Sequence, residues 1–291
     1  MSLIIDIVIS GLISGSMLAL LAIGFSLIFG VARIVNIAHT AFYMVAAYCI
    51  YFVTQKLGVH PLWAMGIAVV LVTGLGLVSY QIFINPIREH HGAVLIATIA
   101  LAMAFQEVMS LIFTGTFLSV PSLAKGFFVI LGVKVFYQQL ITFCVALFAI
   151  GVLWFFLMRT KLGLAIRSTS QDREVANLMG INESRVALLT MGISVGLASF
   201  TGAIVVPLAV LEPHMWTHPL IMMMAVVVLG GLGSLKGSFL GAYILGFAEA
   251  LVVFLAPMGA FLKGSVALSM MILVLLIRPE GLFGVAFEEE R

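Results

Sequence analysis

RTKLGLAIRSTSQDREVANLMGINESR, residues 159–185, is a polar stretch set between two strongly apolar runs, and it decides how the rest of the chain is read. The 291 residues are 63% hydrophobic and 9% charged, with a mean hydropathy of +1.25. Soluble domains carry about a quarter charged residues, so a water-soluble fold is excluded. Everything around residues 159–185 is built for lipid, and a membrane chain that projects one helix-forming polar loop usually docks a partner there. The net charge of +2 is small and scattered, which argues against a nucleic-acid partner. Cys49 and Cys144 fall within apolar segments and read as packing residues rather than a disulfide. The N-terminus lacks the basic region of a cleaved signal peptide, and its apolar run continues too far for one. It therefore reads as a first transmembrane helix.

A helix needs about 20 apolar residues to cross a bilayer. Outward from the polar stretch, the apolar runs give spans at 8–30, 40–55, 61–84, 92–114, 138–158, 186–208, 220–233, 237–256 and 260–277. The seventh is short: its run from Leu220 to Leu229 ends at Gly230, Gly231, Leu232 and Gly233, which predicts a re-entrant or broken helix. The fold class is thus an all-α polytopic membrane protein of eight or nine segments, one of them short, in a single domain over 1–291.

Basic residues concentrate on the cytoplasmic side of membrane proteins. With the 159–185 loop inside, alternating spans place Arg33, Arg88, Arg159, Lys161, Arg167, Arg173, Arg185, Lys236, Arg278 and Arg291 inside, and Lys56, Lys125, Lys134 and Lys263 outside. The expected C-terminus is cytoplasmic, and the N-terminus is external if the short segment spans.

Within the loop, Glu174 to Gly180 has helix-like composition. Asp172 and Glu174 sit where carboxylates favour the helix dipole, and Gly180 can end the helix in a left-handed cap. Val175, Leu178 and Met179 recur at three and four residues, a narrow apolar stripe of the kind that lies in a partner's groove. Arg159, Lys161, Arg167 and Arg173 are also placed to hold anionic lipid headgroups. A solvated connector is the plain alternative.

The spacing Glu-x-Ala-x-x-x-Gly at Glu174, Ala176 and Gly180 resembles the EAA motif of ABC-transporter permeases, the loop that meets the ATPase subunit. The wider string RTKxGxAxR at 159–167, then Asp172, then LMGIN at 178–182, resembles the branched-chain amino acid permease family of ABC importers. GSMLALLAIGFSLIFG at 15–30, NIAH at 36–39, VLGGLGS at 228–234 and RPEGLFG at 278–284 are similar to its H-type subunit rather than the M-type. The resemblance runs nearly end to end. It implies a bacterial inner-membrane, multi-pass permease half that pairs with an M-type permease, two ATP-binding subunits and an external solute-binding protein. ATP would sit on the partner subunits, this chain would bind no cofactor, and it would be no enzyme on its own. The implied cargo is leucine, isoleucine, valine or a related small amino acid, with urea or short amides as the alternative. The coupling residues would be Arg167, Asp172, Glu174, Ala176, Leu178, Met179 and Gly180.

Ionisable groups at membrane depth cost several kcal/mol on insertion scales and are functional candidates by default. Glu107 beside Gln106 in the fourth span, Glu249 in the eighth, and Asn36 with His39 at the start of the second are the candidates for a translocation path. Interhelical hydrogen bonding that fixes register is the competing explanation. Self-contained secondary transport, with Glu107 and Glu249 as ion-coupling carboxylates, is the rival function; the absence of a clear inverted repeat counts against it. Gly11/Gly15, Gly192/Gly196 and Gly233/Gly237/Gly241 mark faces for close helix approach, and Gly230, Gly231 and Gly233 are hinge candidates. Lys236 is followed by Gly237, so these glycines form no Walker A loop. His214 and His218, between Pro213 and Pro219, do not make a convincing metal site, and no metal is expected.

Overall fold

A computed structural model describes residues 2–130 and 132–284; Arg291, assigned above to the inner side, lies outside the described residues. The apolar runs form helices α1 (Ser2–Ala32), α2 (His39–Gln55), α3 (Pro61–Ser79), α4 (His91–Phe113), α5 (Tyr137–Arg159), α8 (Glu183–Val205), α9 (Thr217–Gly230), α10 (Leu235–Leu255) and α11 (Lys263–Ile277). The polar stretch holds two more, α6 (Lys161–Gln171) and α7 (Arg173–Leu178). Among the described residues seven helices are long and apolar enough to cross a membrane, and α2 and α9 are shorter. Without water at bilayer depth, each backbone amide must bond within its own helix, which is why these runs adopt no other form.

The core is α1, α2 and α8. α1 packs along α10 and also meets α8, α5 and α9, while α2 sits among α8, α3, α4 and α9. From His39 to Tyr48 every residue of α2 is buried, so this helix meets protein rather than lipid. By contrast α3, α4, α5 and α11 turn exposed Leu, Ile, Val and Phe side chains outward, as lipid-facing helices do.

The glycine faces are used within the chain. A Cβ at Gly11 or Gly15 would collide with Phe247 or Tyr243 of α10, and one at Gly246 would meet the Gly15 backbone. Gly192 faces Leu77 and Gly196 faces Thr73, both on α3. Ser26 of α1 and Ser238 of α10 are hydrogen-bonded across the same seam.

The short seventh segment has a structural cause. At about 1.5 Å per residue a 14-residue helix covers about 21 Å, less than the hydrocarbon thickness of about 30 Å. The connector after α8 makes up the difference by running back into the protein, with Leu211, Met215 and Trp216 buried. Leu118 and Leu211 pair there through reciprocal backbone bonds of 3.1 and 2.9 Å. A small antiparallel hairpin, β1 (Phe127–Ile130) with β2 (Val133–Phe136), stands at this same end, and the sequence reading had no element there.

Candidate functional site: the polar loop and its anchors

The 159–185 stretch is built from caps. Thr160 Oγ1 accepts from Gly163 N to start α6, Asp172 Oδ1 accepts from Val175 N to start α7, and Asn182 Oδ1 accepts from Arg185 N to start α8, each at 3.0 Å. Such side chains satisfy amides that a helix start leaves unpaired. Gly163 sits so tightly in the α5–α6 corner that a Cβ would strike the Leu157 carbonyl. The α6 helix was not read from sequence, although its buried residues Gly163, Ile166 and Thr169 recur at three.

α7 ends as its composition predicts. Gly180 has φ +84°, Ile181 N donates to Ala176 O at 3.0 Å, and Gly180 N donates to Asn177 O at 2.9 Å. This bond pair closes a helix through a left-handed residue. Ala176 is buried against the protein, whereas Val175, Leu178 and Met179 are 54%, 86% and 79% exposed. Three apolar side chains, two on this six-residue helix and one just after it, are thus left uncovered among the described residues.

Arg173 fixes this helix to the bundle. Its Nε and Nη2 donate to the Val31 carbonyl at 2.8 and 2.6 Å, and Nη1 lies 3.5 Å from Glu183 Oε1. Burial lowers the pKa of this guanidinium from its ordinary value, Glu183 opposes that shift, and Arg33 and Arg88 add to it. Asn177 Nδ2 also reaches Glu183 Oε2 at 3.5 Å. Asp172, Ala176 and Gly180 therefore shape α7, whereas Glu174, Leu178 and Met179 are exposed on it. Arg167 lies on α6, with its Nε buried and unpaired.

The intramembrane polar residues are not gathered in one place. His39 is fully buried, with Nε2 3.2 Å from Leu21 O and Nδ1 3.2 Å from Ser194 Oγ. A carbonyl only accepts, so the neutral ring carries its proton on Nε2 and takes the serine hydroxyl on Nδ1. Asn36 Nδ2 faces Met191 Sδ at 3.7 Å, and its Oδ1 is buried without a partner. Gln106 Oε1 accepts from Trp216 Nε1 at 2.9 Å, holding α4 to the start of α9. Glu107 is exposed on the same outward face as Met103 and Leu111, so it does not point into the bundle. It stands six residues, or about 9 Å, from the end of α4. Glu249 is buried and paired with Lys263 Nζ at 3.5 Å. Among the described residues, no three His, Cys, Asp or Glu side chains come together as a metal site.

Gly231 and Gly233, with φ +100° and +80°, make the turn between α9 and α10, and Gly230 ends α9. The turn is closely packed: a Cβ at Gly230 or Gly237 would run into the other residue's backbone. The chain returns over it, Leu282 N donating to Leu229 O at 2.9 Å and Phe283 N to Gly230 O at 3.0 Å. Carbonyls left open at the end of α9 are thereby satisfied by the RPEGLFG segment.

Polytopic helices around a buried centre, with an anchored polar loop at one end whose short helix α7 exposes Val175 and Leu178, define the class: an integral membrane protein of the all-α type. Residues 7–277 match the family described as branched-chain amino acid transport system / permease component. The chain is 30% identical to the high-affinity branched-chain amino acid transport system permease protein BraD of Pseudomonas aeruginosa, over 95% of this chain and 94% of that one. It is 29% identical to the corresponding permease protein LivH of Escherichia coli, over 94% of each. A solved structure, PsaBC from Streptococcus pneumoniae in complex with Fab, shares the fold with a TM-score of 0.54 at 17% identity, covering 93% of this chain and 91% of that one. The chain belongs to the family of branched-chain amino acid transport permease components.

Proposed function

We propose that this chain is one permease half of an ATP-driven importer for branched-chain or related small amino acids. It works beside a second, M-type permease, two ATPase subunits and an external solute-binding protein in a bacterial cytoplasmic membrane. The loop-bearing end faces the cytoplasm, because nine of the described basic residues lie towards that end and four towards the other. This chain makes and breaks no bond, and hydrolysis takes place on the partners.

The observation that carries the reading is α7: Val175, Leu178 and Met179 exposed on a helix whose base is tied by Arg173 to α1 and α8. An ATPase groove closing on these side chains moves α7. Arg173 passes that movement to the end of α1 and the start of α8, two of the three helices at the centre of the bundle. The cargo follows from the relatives' printed function. Loss of the chain should abolish ATP-dependent leucine, isoleucine or valine uptake in cells and spare urea and acetamide uptake. The opposite pattern would move the cargo to amides.

A further inference from the structure

At the loop-bearing end lies a cleft of about 350 Å³ lined by Tyr80, Arg88, Glu89, His91, Arg173 and Glu183. Arg173 and Glu183 are taken up by each other and by Val31. Arg88 is only partly used: of the five N–H donors on its guanidinium, one goes to Ser184 Oγ at 3.1 Å and the side chain also reaches the Tyr80 hydroxyl, which leaves donors for a ligand. Glu89, the next residue, is exposed and makes no ion pair within the described residues. A cation and an anion with unused bonding capacity thus stand side by side, and Arg33 adds positive field close by.

The backbone here is also irregular. Tyr80–Ile84 forms a π-helical turn at the end of α3, with Tyr80 buried beside Arg88. Single π-turns occur frequently at functional sites. Ile82 and Phe83 of the same turn, and Leu95 and Ile96 in the first turns of α4, are exposed apolar side chains at the membrane boundary. A ligand suited to this place has both charges in its head and an apolar tail.

We propose that this cleft binds the zwitterionic headgroup of a phospholipid, its phosphate on Arg88 and its ammonium on Glu89. Arg88 also holds Ser184 in the first turn of α8, one residue from the Arg173–Glu183 pair, so a bound lipid stiffens the base of the coupling loop. The site goes beyond the transport reading and stands on the membrane fold alone; a failure of ATP coupling would leave it intact. A soluble zwitterion such as phosphoethanolamine presents the same charges without the tail.

Native mass spectrometry of the detergent-purified chain, with phosphatidylethanolamine, phosphatidylglycerol or phosphoethanolamine added, tests the site. Phosphatidylethanolamine adducts should persist on the wild type, and Arg88→Ala should weaken retention by about tenfold, the scale of one charge-assisted hydrogen bond. Lys134→Ala, at the opposite end, should retain them. Glu89→Gln, an exposed change that leaves folding alone, should abolish the preference for phosphatidylethanolamine over phosphatidylglycerol. An unchanged preference in Glu89→Gln overturns the proposal, as does equal retention by Arg88→Ala and wild type. Displacement of the lipid by phosphoethanolamine at matched concentration would make this a site for a soluble ligand and overturn the lipid assignment.

Discussion

Arg173 and Val31 stand 142 residues apart in the chain, yet two N–H groups of the Arg173 guanidinium converge on the Val31 carbonyl oxygen at 2.8 and 2.6 Å. That carbonyl belongs to the last turn of α1, where a helix leaves its acceptors open and a cation is favoured by the helix dipole. The third contact of the same side chain, with Glu183, reaches the first turn of α8. One side chain of the loop therefore holds the ends of two central helices, α1 and α8. Because α1 packs along α10 and α8 packs on α2 and α3, a displacement at the loop has a short path into most of the bundle.

Arg173→Gln keeps a polar side chain but shortens it and removes both the charge and the guanidinium fork. It should lower thermal stability by about 2 kcal/mol, the scale of hydrogen bonds to a charged donor. It should also depress uptake per ATP hydrolysed in proteoliposomes by several-fold. Unchanged stoichiometry would remove this anchor from the coupling path.

Gly180→Val places a β-branched residue at φ +84°. Left-handed backbone costs an L-residue about 1–2 kcal/mol and more for a branched one. Since a Cβ at Gly180 meets nothing within 4 Å among the described residues beyond its chain neighbours, the damage should stay local to the end of α7. The variant should reach the membrane at normal levels and fail to couple ATP hydrolysis to uptake; normal uptake would exclude the α7 cap from the mechanism.

The two carboxylates should separate cleanly. Glu107→Gln, on an exposed face, should leave both stability and uptake near wild type. Glu249→Gln strands Lys263, and because that lysine is partly exposed the cost should be about 1 kcal/mol, below the 3–5 kcal/mol of a fully buried broken pair. Glu249→Gln combined with Lys263→Met should recover most of that loss in a thermal unfolding assay. Loss of uptake in Glu107→Gln with intact assembly would instead assign its carboxylate to the pathway.

The nine apolar segments were legible because burial in lipid leaves a composition signal along the chain, and α7 was legible because the early carboxylates Asp172 and Glu174 and the stop at Gly180 are local signals; that Asp172 caps the helix came from the structure. Three things were not. The α6 helix mixes exposed Leu162 and Leu164 with buried Gly163 and Ile166, which blurs its periodicity. The side of α4 on which Glu107 falls depends on how that helix is rotated against its neighbours. The Arg173–Val31 bond and the return of Leu282 and Phe283 onto α9 join residues remote in sequence, where no local pattern records the contact.

Ending the chain after Arg278 should remove the two amides that close α9. At about 1 kcal/mol for each hydrogen bond, the loss should appear as faster amide exchange around Val228–Gly233 and a lower unfolding midpoint. Unchanged exchange there would show that the α9–α10 turn holds without the tail.

The most direct test of the account is co-purification from native membranes using a tagged chain in detergent. Wild type should bring down an ATPase subunit and a second permease, and a Glu174→Ala, Gly180→Val double variant should keep the permease and lose the ATPase. A chain recovered alone that still moves amino acid into liposomes without ATP would contradict the account.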